Sequence, residues 1–241
     1  MMTPSSRPGG PEAIKAARTT WRRSQIVESA ARLMEEHGFH DMSVSALARE
    51  AGISVGTVYQ YVDNKEDVLL LVIEDILKAY AQQVPQAMSG IADPLERLAA
   101  GFLSYCGVVD SYQTATLLAY RESRSLSRSG LHSVISHEIE TTGLLVAELD
   151  AAVAAGTLRT HDTALVGSDL VFLAHMWALK RWQLRDRMTV EAYGRAQLGL
   201  VLGGLIDAKQ RERYAHLLAV PGAASAPARA AARTRAGGGR R

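Results

Sequence analysis

The chain has a single cysteine, Cys106, in 241 residues. One thiol excludes an intrachain disulfide and a cysteine-based zinc site, and it suits a reducing compartment. Aromatic residues make up only 6% of the sequence, and 25 acidic residues nearly balance 27 basic ones. The net charge of +2 is too small to imply a polyanionic partner by itself. No apolar run is long enough to span a bilayer, and the stretch VLLLVIEDIL is broken by Glu74 and Asp75. The opening MMTPSSRPGGPEAIKAARTTWRR lacks the apolar core of a signal peptide, so the expected location is the cytoplasm. Catalytic signatures are missing as well. His132 and His137 stand out of the i,i+4 register of a helical metal pair, and no Ser/His/Asp constellation or phosphate-cradling loop is visible. The expectation is a non-enzyme with no metal and no cofactor.

What is present is helix, from residue 20 to the last apolar segment, with no strand alternation and no internal repeat. The expected organisation is a disordered basic arm over residues 1–19, a small helical unit over 20–66, a larger one over 67–219 and a disordered basic tail over 220–241. Both ends are rich in Gly, Pro, Ala and Ser. Before residue 25, Arg7, Lys15, Arg18, Arg22 and Arg23 face one acid, Glu12, and such an arm can bind phosphates non-specifically. The tail carries Arg229, Arg233, Arg235, Arg240 and Arg241 with no acid, and suits a solubilising or non-specific role. A fourth helix is expected from Asn64 to Val84, stopped by Pro85. Asp93-Pro94 opens the next, reaching Val109. Further helices are expected over 111–126, 131–155 (ended by Gly156), 162–186 and, capped by Thr189, 190–218. The total is about nine.

Residues 22–70 are the most informative. Ala51-Gly52-Ile53-Ser54 joins two short apolar-periodic segments. Gly52 tolerates the positive φ of a tight turn, and Ser54 offers its hydroxyl to the free amides of a new helix. Two short helices around such a turn are the layout of a helix-turn-helix, whose second helix enters the DNA major groove. Ile26, Ala30, Leu33, Phe39, Val44, Leu47, Ala48, Ile53, Val58 and Val62 are its expected core.

The segment SVSALAREAGISVGTVYQYVDNK, Ser43 to Lys65, resembles the DNA-binding domain of the TetR family of transcriptional regulators. Ser43 opens the second helix, Gly52 sits in the turn, Thr57-Val58-Tyr59 lies in the recognition helix and Asn64-Lys65 opens the fourth. Val55 and Val62 depart from the family, which more often has Lys and Phe there. The resemblance implies an all-α fold: a three-helix DNA-binding domain followed by a larger ligand-binding and dimerisation domain. It also implies a homodimer on a palindromic operator in double-stranded DNA, released by a small molecule. Ser43, Thr57, Tyr59, Tyr61 and Lys65 suit phosphate oxygens, while Ser45, Val55, Gly56 and Gln60 suit base reading. The alternative is that Tyr59 and Tyr61 are half-buried packing residues and Gln60 is solvated.

Residues 93–205 carry a second resemblance. DPLERLAAGFLSY, LAYRESRSL, AAGTLR, WALKRW and QLGLVLGGL are similar to a TetR subgroup with CoA-thioester effectors, including repressors of fatty-acid and steroid catabolism. On that reading Trp177 and Arg181, four apart on one helical face, look into a cavity as an apolar wall and an anion-binding group. Tyr120 and Arg121 are further ligand candidates. Alternatively Trp177 is core and Arg181 pairs with Glu122 or Glu138. The resemblance also assigns the last two long helices, with Gly167, Ala174, Gly199, Gly203 and Gly204, to a four-helix dimer interface. The rivals are a drug-responsive efflux repressor of the same fold, whose pocket would be rich in aromatics, and a ligand-independent architectural DNA-binding protein.

Overall fold

In the computed structural model the described residues are 10–160 and 162–219. They form eleven α-helices and two 3-10 turns, and their one β feature is an isolated bridge between Leu158 and Ile206. The first helix, α1, spans Pro11–His37, so the stretch expected as the end of a disordered arm is helical from Pro11 on. Proline at the first helical position, after extended Gly10, explains the start, since its missing N–H is one the helix would not use. The rest of the expected arm and the tail over 220–241 lie outside the described residues.

Next come α2 (Val44–Glu50) and α3 (Val55–Val58), each capped by a serine. Ser43 Oγ accepts from the Ala46 amide and Ser54 Oγ from the Thr57 amide, both at 3.1 Å. Gly52 between them has φ 62°, the left-handed value expected of the turn. The capping box of Asn64 and Asp67 opens α4, Lys65–Met88. Proline was expected to end this helix at Val84, but α4 continues through Pro85. So close to the end Pro85 removes one hydrogen bond, and buried Val84 and Met88 hold the last turn against the core. The chain turns away only at Gly90, with φ 77°.

The remaining helices are α5 (Pro94–Ser111), α6 (Gln113–Glu122), α7 (Arg128–Ala154), α8 (Thr163–Leu179), α9 (Arg181–Leu184), α10 (Val190–Leu205) and α11 (Ala215–Leu218). The last two expected helices are each broken, at Lys180 and at Ile206. At the second break the Asp207 amide donates to Thr157 O and the Arg159 amide to Leu205 O, so the chain after α10 pairs with the chain after α7 instead of coiling on. The short helices α9 and α11 follow those two breaks, so about nine expected helices become eleven among the described residues.

Helix α5 is the axis of the larger unit, packed by α4, α7, α8 and α10. Its Leu98, Phe102 and Val109 are fully buried, each stabilising the fold by about 1.5–3 kcal/mol. The small residues assigned to a dimer interface mostly serve the chain's own packing. A Cβ on Gly167 would lie 2.5 Å from Val146 of α7, and one on Gly199 3.2 Å from the Leu217 carbonyl. Ala174 is fully buried, whereas Gly203 and Gly204 face open space. The head has the expected core: Ile26, Ala30, Leu33, Phe39, Leu47, Ala48, Val58 and Val62 are buried, with Val44 and Ile53 packed beside them.

Candidate functional site

Two surfaces carry chemistry. The first is the exposed side of α2 and α3. Ser43, Ser45, Val55, Gly56, Tyr59 and Gln60 are exposed there, while Thr57, Tyr61 and Lys65 are half-buried. Tyr59 is 51% and Val55 38% exposed, so neither is part of the core that Val58 anchors. Thr57 Oγ1 lies 2.8 Å from Ser54 Oγ, which ties that hydroxyl to the helix cap. Lys65 Nζ donates to the His40 carbonyl at 2.5 Å and sits 4.8 Å from the centre of the Phe39 ring. Its ammonium is therefore positioned by the connection between α1 and α2, with two further protons to offer.

The second is a partly open cavity of about 210 Å³ lined by residues of α4, α5, α6, α7 and α8. Ile73, Ile76 and Leu77 of α4 and Leu131, Val134 and Ile135 of α7 form apolar walls. At the polar end stands His175, the lone histidine of the apolar helix α8. Its Nε2 lies 3.0 Å from the Tyr105 hydroxyl and 3.5 Å from that of Tyr80, and its Nδ1 lies 3.0 Å from the Tyr120 hydroxyl. Tyr80 and Tyr105 stack with ring centres 4.0 Å apart. Burial pushes the His175 pKa down to about 4, so the imidazole is neutral near pH 7, one nitrogen donating and the other accepting. Burial also raises the hydroxyls of Tyr80, Tyr105 and Tyr120 above their ordinary range. Glu138, at the mouth, has its carboxyl raised by the desolvation of its cavity side. Beyond this hub a second space, about 310 Å³, opens between α7 and α8 towards Ser168, Asp169 and Phe172.

Of the four expected ligand residues, Tyr120 lines the cavity. Arg121, next along α6, points outward and is exposed. Trp177 and Arg181 do converge, but on Asp110 of α5. The indole Nε1 donates to Asp110 Oδ1 at 2.8 Å, and the guanidinium donates to the same oxygen. Neither lines the cavity, and neither Glu122 nor Glu138 is the partner of Arg181. The spacing did bring the two side chains to one side, but that side faces Asp110 of α5 and not the cavity. Sequence reasoning passed over His175, whose signal was one histidine amid the apolar run LVFLAHMWAL. Among the described residues no group of His, Cys, Asp and Glu is placed to hold a metal, and no helix is long and apolar enough to cross a membrane.

A serine-capped helix-turn-helix joined to a larger helical unit is the architecture of a helix-turn-helix DNA-binding regulator. Residues 26–72 match the bacterial regulatory proteins of the tetR family. The HTH-type transcriptional regulator HbdR of Aromatoleum sp. (strain CIB) is 34% identical over 80% of this chain and 85% of its own length. The chain belongs to the TetR family of transcriptional regulators. Among solved structures it is similar to the TetR family regulator PfmR from Thermus thermophilus. The TM-score is 0.67 at 27% identity, covering 74% of this chain and 97% of that one. AibR, solved in complex with isovaleryl coenzyme A and operator DNA, shares the fold. There the TM-score is 0.64 at 21% identity, over 74% of this chain and 97% of that one.

Proposed function

We propose that the protein is a homodimeric repressor that leaves a palindromic operator when the acyl part of a CoA thioester enters the α4–α8 cavity. The observation that carries this reading is that two walls of the cavity also hold the DNA-binding head. Arg23 of α1 pairs with Glu74 of α4 at 3.0 Å. On α6, Thr114 donates to Glu35 of α1 at 2.9 Å and Glu122 lies 3.4 Å from His40 Nε2. A ligand that spreads Tyr120 of α6 from Tyr80 of α4 therefore moves both supports of the head. Recognition helices on adjacent half-sites must sit about one DNA turn, 34–36 Å, apart. The ligand shifts the equilibrium only by its differential affinity for the two conformations.

In this reading Ser43, Tyr59, Tyr61 and Lys65 contact phosphates, with Thr57 behind them at the helix cap, and Ser45, Val55, Gly56 and Gln60 face base edges. Dimerisation is supported by exposed Leu165 and Phe172 on α8 and exposed Leu200 on α10, large apolar side chains that the chain's own packing leaves uncovered. The thioester assignment is supported by the aliphatic walls and by AibR, a neighbour in fold bound to an acyl-CoA. The hydroxyls of Tyr105 and Tyr120 suit a carbonyl oxygen. The tyrosines also favour a second reading, an aromatic drug as effector, since Tyr80, Tyr105 and Tyr120 gather at one cavity.

The test is release of operator DNA, followed by fluorescence anisotropy, with acyl-CoAs of increasing chain length, the matching free acids and aromatic drugs. Release by acyl-CoAs with Tyr120→Phe shifted about tenfold or more to higher concentration is expected, the loss of about 1.5 kcal/mol in one hydrogen bond. Release by drugs alone defeats the thioester reading, and release by nothing in the panel defeats both effector readings.

A further inference from the structure

We infer that the N-terminal turns of α1 are a rigid DNA-contacting arm, with Lys15, Arg18 and Arg22 binding backbone phosphates beside the segment read by α3. The inference rests on the DNA-binding reading and extends it to residues ahead of the matched family segment, which begins at residue 26. Lys15, Arg18, Arg22 and Gln25 are spaced three, four and three apart, so they share one face of α1. Gln25 shows where that face points. Its Nε2 donates to the Ala51 carbonyl, in the helix-turn-helix joint, at 2.8 Å. From Gln25 back to Lys15 the helix advances about 15 Å. Over that length it overhangs the head, and Lys15, Arg18 and Arg22 line a groove of about 460 Å³ whose other side is Thr57, Gln60 and Tyr61.

The charges on this face are uncommitted in a way their neighbours are not. Arg23, one position round the helix, is paired with Glu74 at 3.0 Å and Asp75 at 3.8 Å. Among the described residues Lys15, Arg18 and Arg22 have no carboxylate partner. Arg22 donates to Gln25 Oε1 at 3.0 Å and lies 5.0 Å from the centre of the Trp21 ring, contacts that hold it on the groove side. Three cations at helical spacing, continuous with the hydroxyls of the recognition helix, complement a phosphate backbone running out of the major groove. An acidic protein surface would match the charge but would have no reason to share its groove with α3.

The experiment uses the full chain with Lys15, Arg18 and Arg22 all changed to Gln, a substitution helices tolerate, and circular dichroism checks that helix content is kept. Operator affinity is measured against salt, and hydroxyl-radical footprints are taken on the same duplex. If each residue neutralises one phosphate, the slope of log affinity on log salt falls by about 2.7 per head, about 5.4 for the dimer. Between 50 and 200 mM salt the parent dimer then loses on the order of 2,000-fold more affinity than the variant. The footprint should shorten at the edge of each half-site, and binding-site selection should return the same bases. An unchanged slope and footprint overturn the arm while leaving the DNA-binding reading intact. A changed base preference also overturns it, because the three side chains would then read sequence. A parent that selects no operator at all fails the underlying reading instead.

Discussion

Replacing His175 with Gln isolates the hub of the cavity, and its consequence is a change in how stability depends on pH. The imidazole touches Tyr105, Tyr120 and, more distantly, Tyr80, and burial lowers its pKa from an ordinary 6.5 to about 4. The unfolded chain takes up the proton first as pH falls, so between those two values the unfolded state binds more protons than the folded one. Stability is therefore fully present above about pH 6.5 and is lost as pH drops towards 4. The full shift corresponds to about 3 kcal/mol. Gln keeps a donor and an acceptor for the two hydroxyls but has no proton to gain. Urea unfolding at fixed protein concentration, from about pH 7.5 down to about pH 4.5, should show the parent losing about 2–3 kcal/mol more than the variant. Glu138 titrates in the opposite sense, its raised carboxyl adding stability as pH falls, but it is present in both proteins and cancels in the difference. Parallel stability curves would refute the claim that His175 is held neutral by burial.

Two further outcomes follow from the same geometry. Asp110→Ala should destabilise the fold by about 1–3 kcal/mol in urea titrations, because Trp177 and Arg181 both lose their acceptor, while the effector concentration for DNA release stays unchanged. A shifted effector response with normal stability would return Trp177 and Arg181 to the ligand site. Changing exposed Leu165 and Phe172 together to Glu should convert a dimer to a monomer in sedimentation, with operator affinity falling at least a hundredfold as one head is lost. An unaltered dimer would place the interface elsewhere.

The parts of this molecule legible in the sequence are those set by local chemistry. Ser43, Ser54, Asn64 and Asp93 each cap the helix whose start they mark, because a short side-chain oxygen beside free amides acts within three residues. Gly52 and Gly156 turn the chain at positive φ for an equally local reason. The errors lie where tertiary contacts decide. Pro85 did not end α4, since buried Val84 and Met88 outweigh one missing hydrogen bond. Trp177 and Arg181, four apart, were expected to look into a cavity, although Asp110 of α5 collects both. The polar hub was hidden for a related reason. Tyr80, Tyr105, Tyr120 and His175 come from four helices, and no spacing within one helix reveals a meeting among them.

That meeting also decides how the cavity can respond. A group that hydrogen-bonds His175 must replace at least one of its hydroxyl contacts, because both ring nitrogens are already engaged. A neutral imidazole has one donor and one acceptor, so exchange at one nitrogen constrains what the other can bind. Buried Tyr105 of α5 is fixed by its stack on Tyr80, whereas Tyr120 is 45% exposed on the shorter helix α6. The element free to yield is therefore α6, and α6 is the one that reaches the end of α1 through Thr114 and Glu122. A ligand carbonyl that takes over a donor at the hub would displace Tyr120 before Tyr105, and the displacement would reach the head through α6 before it bent the longer, better-packed α4.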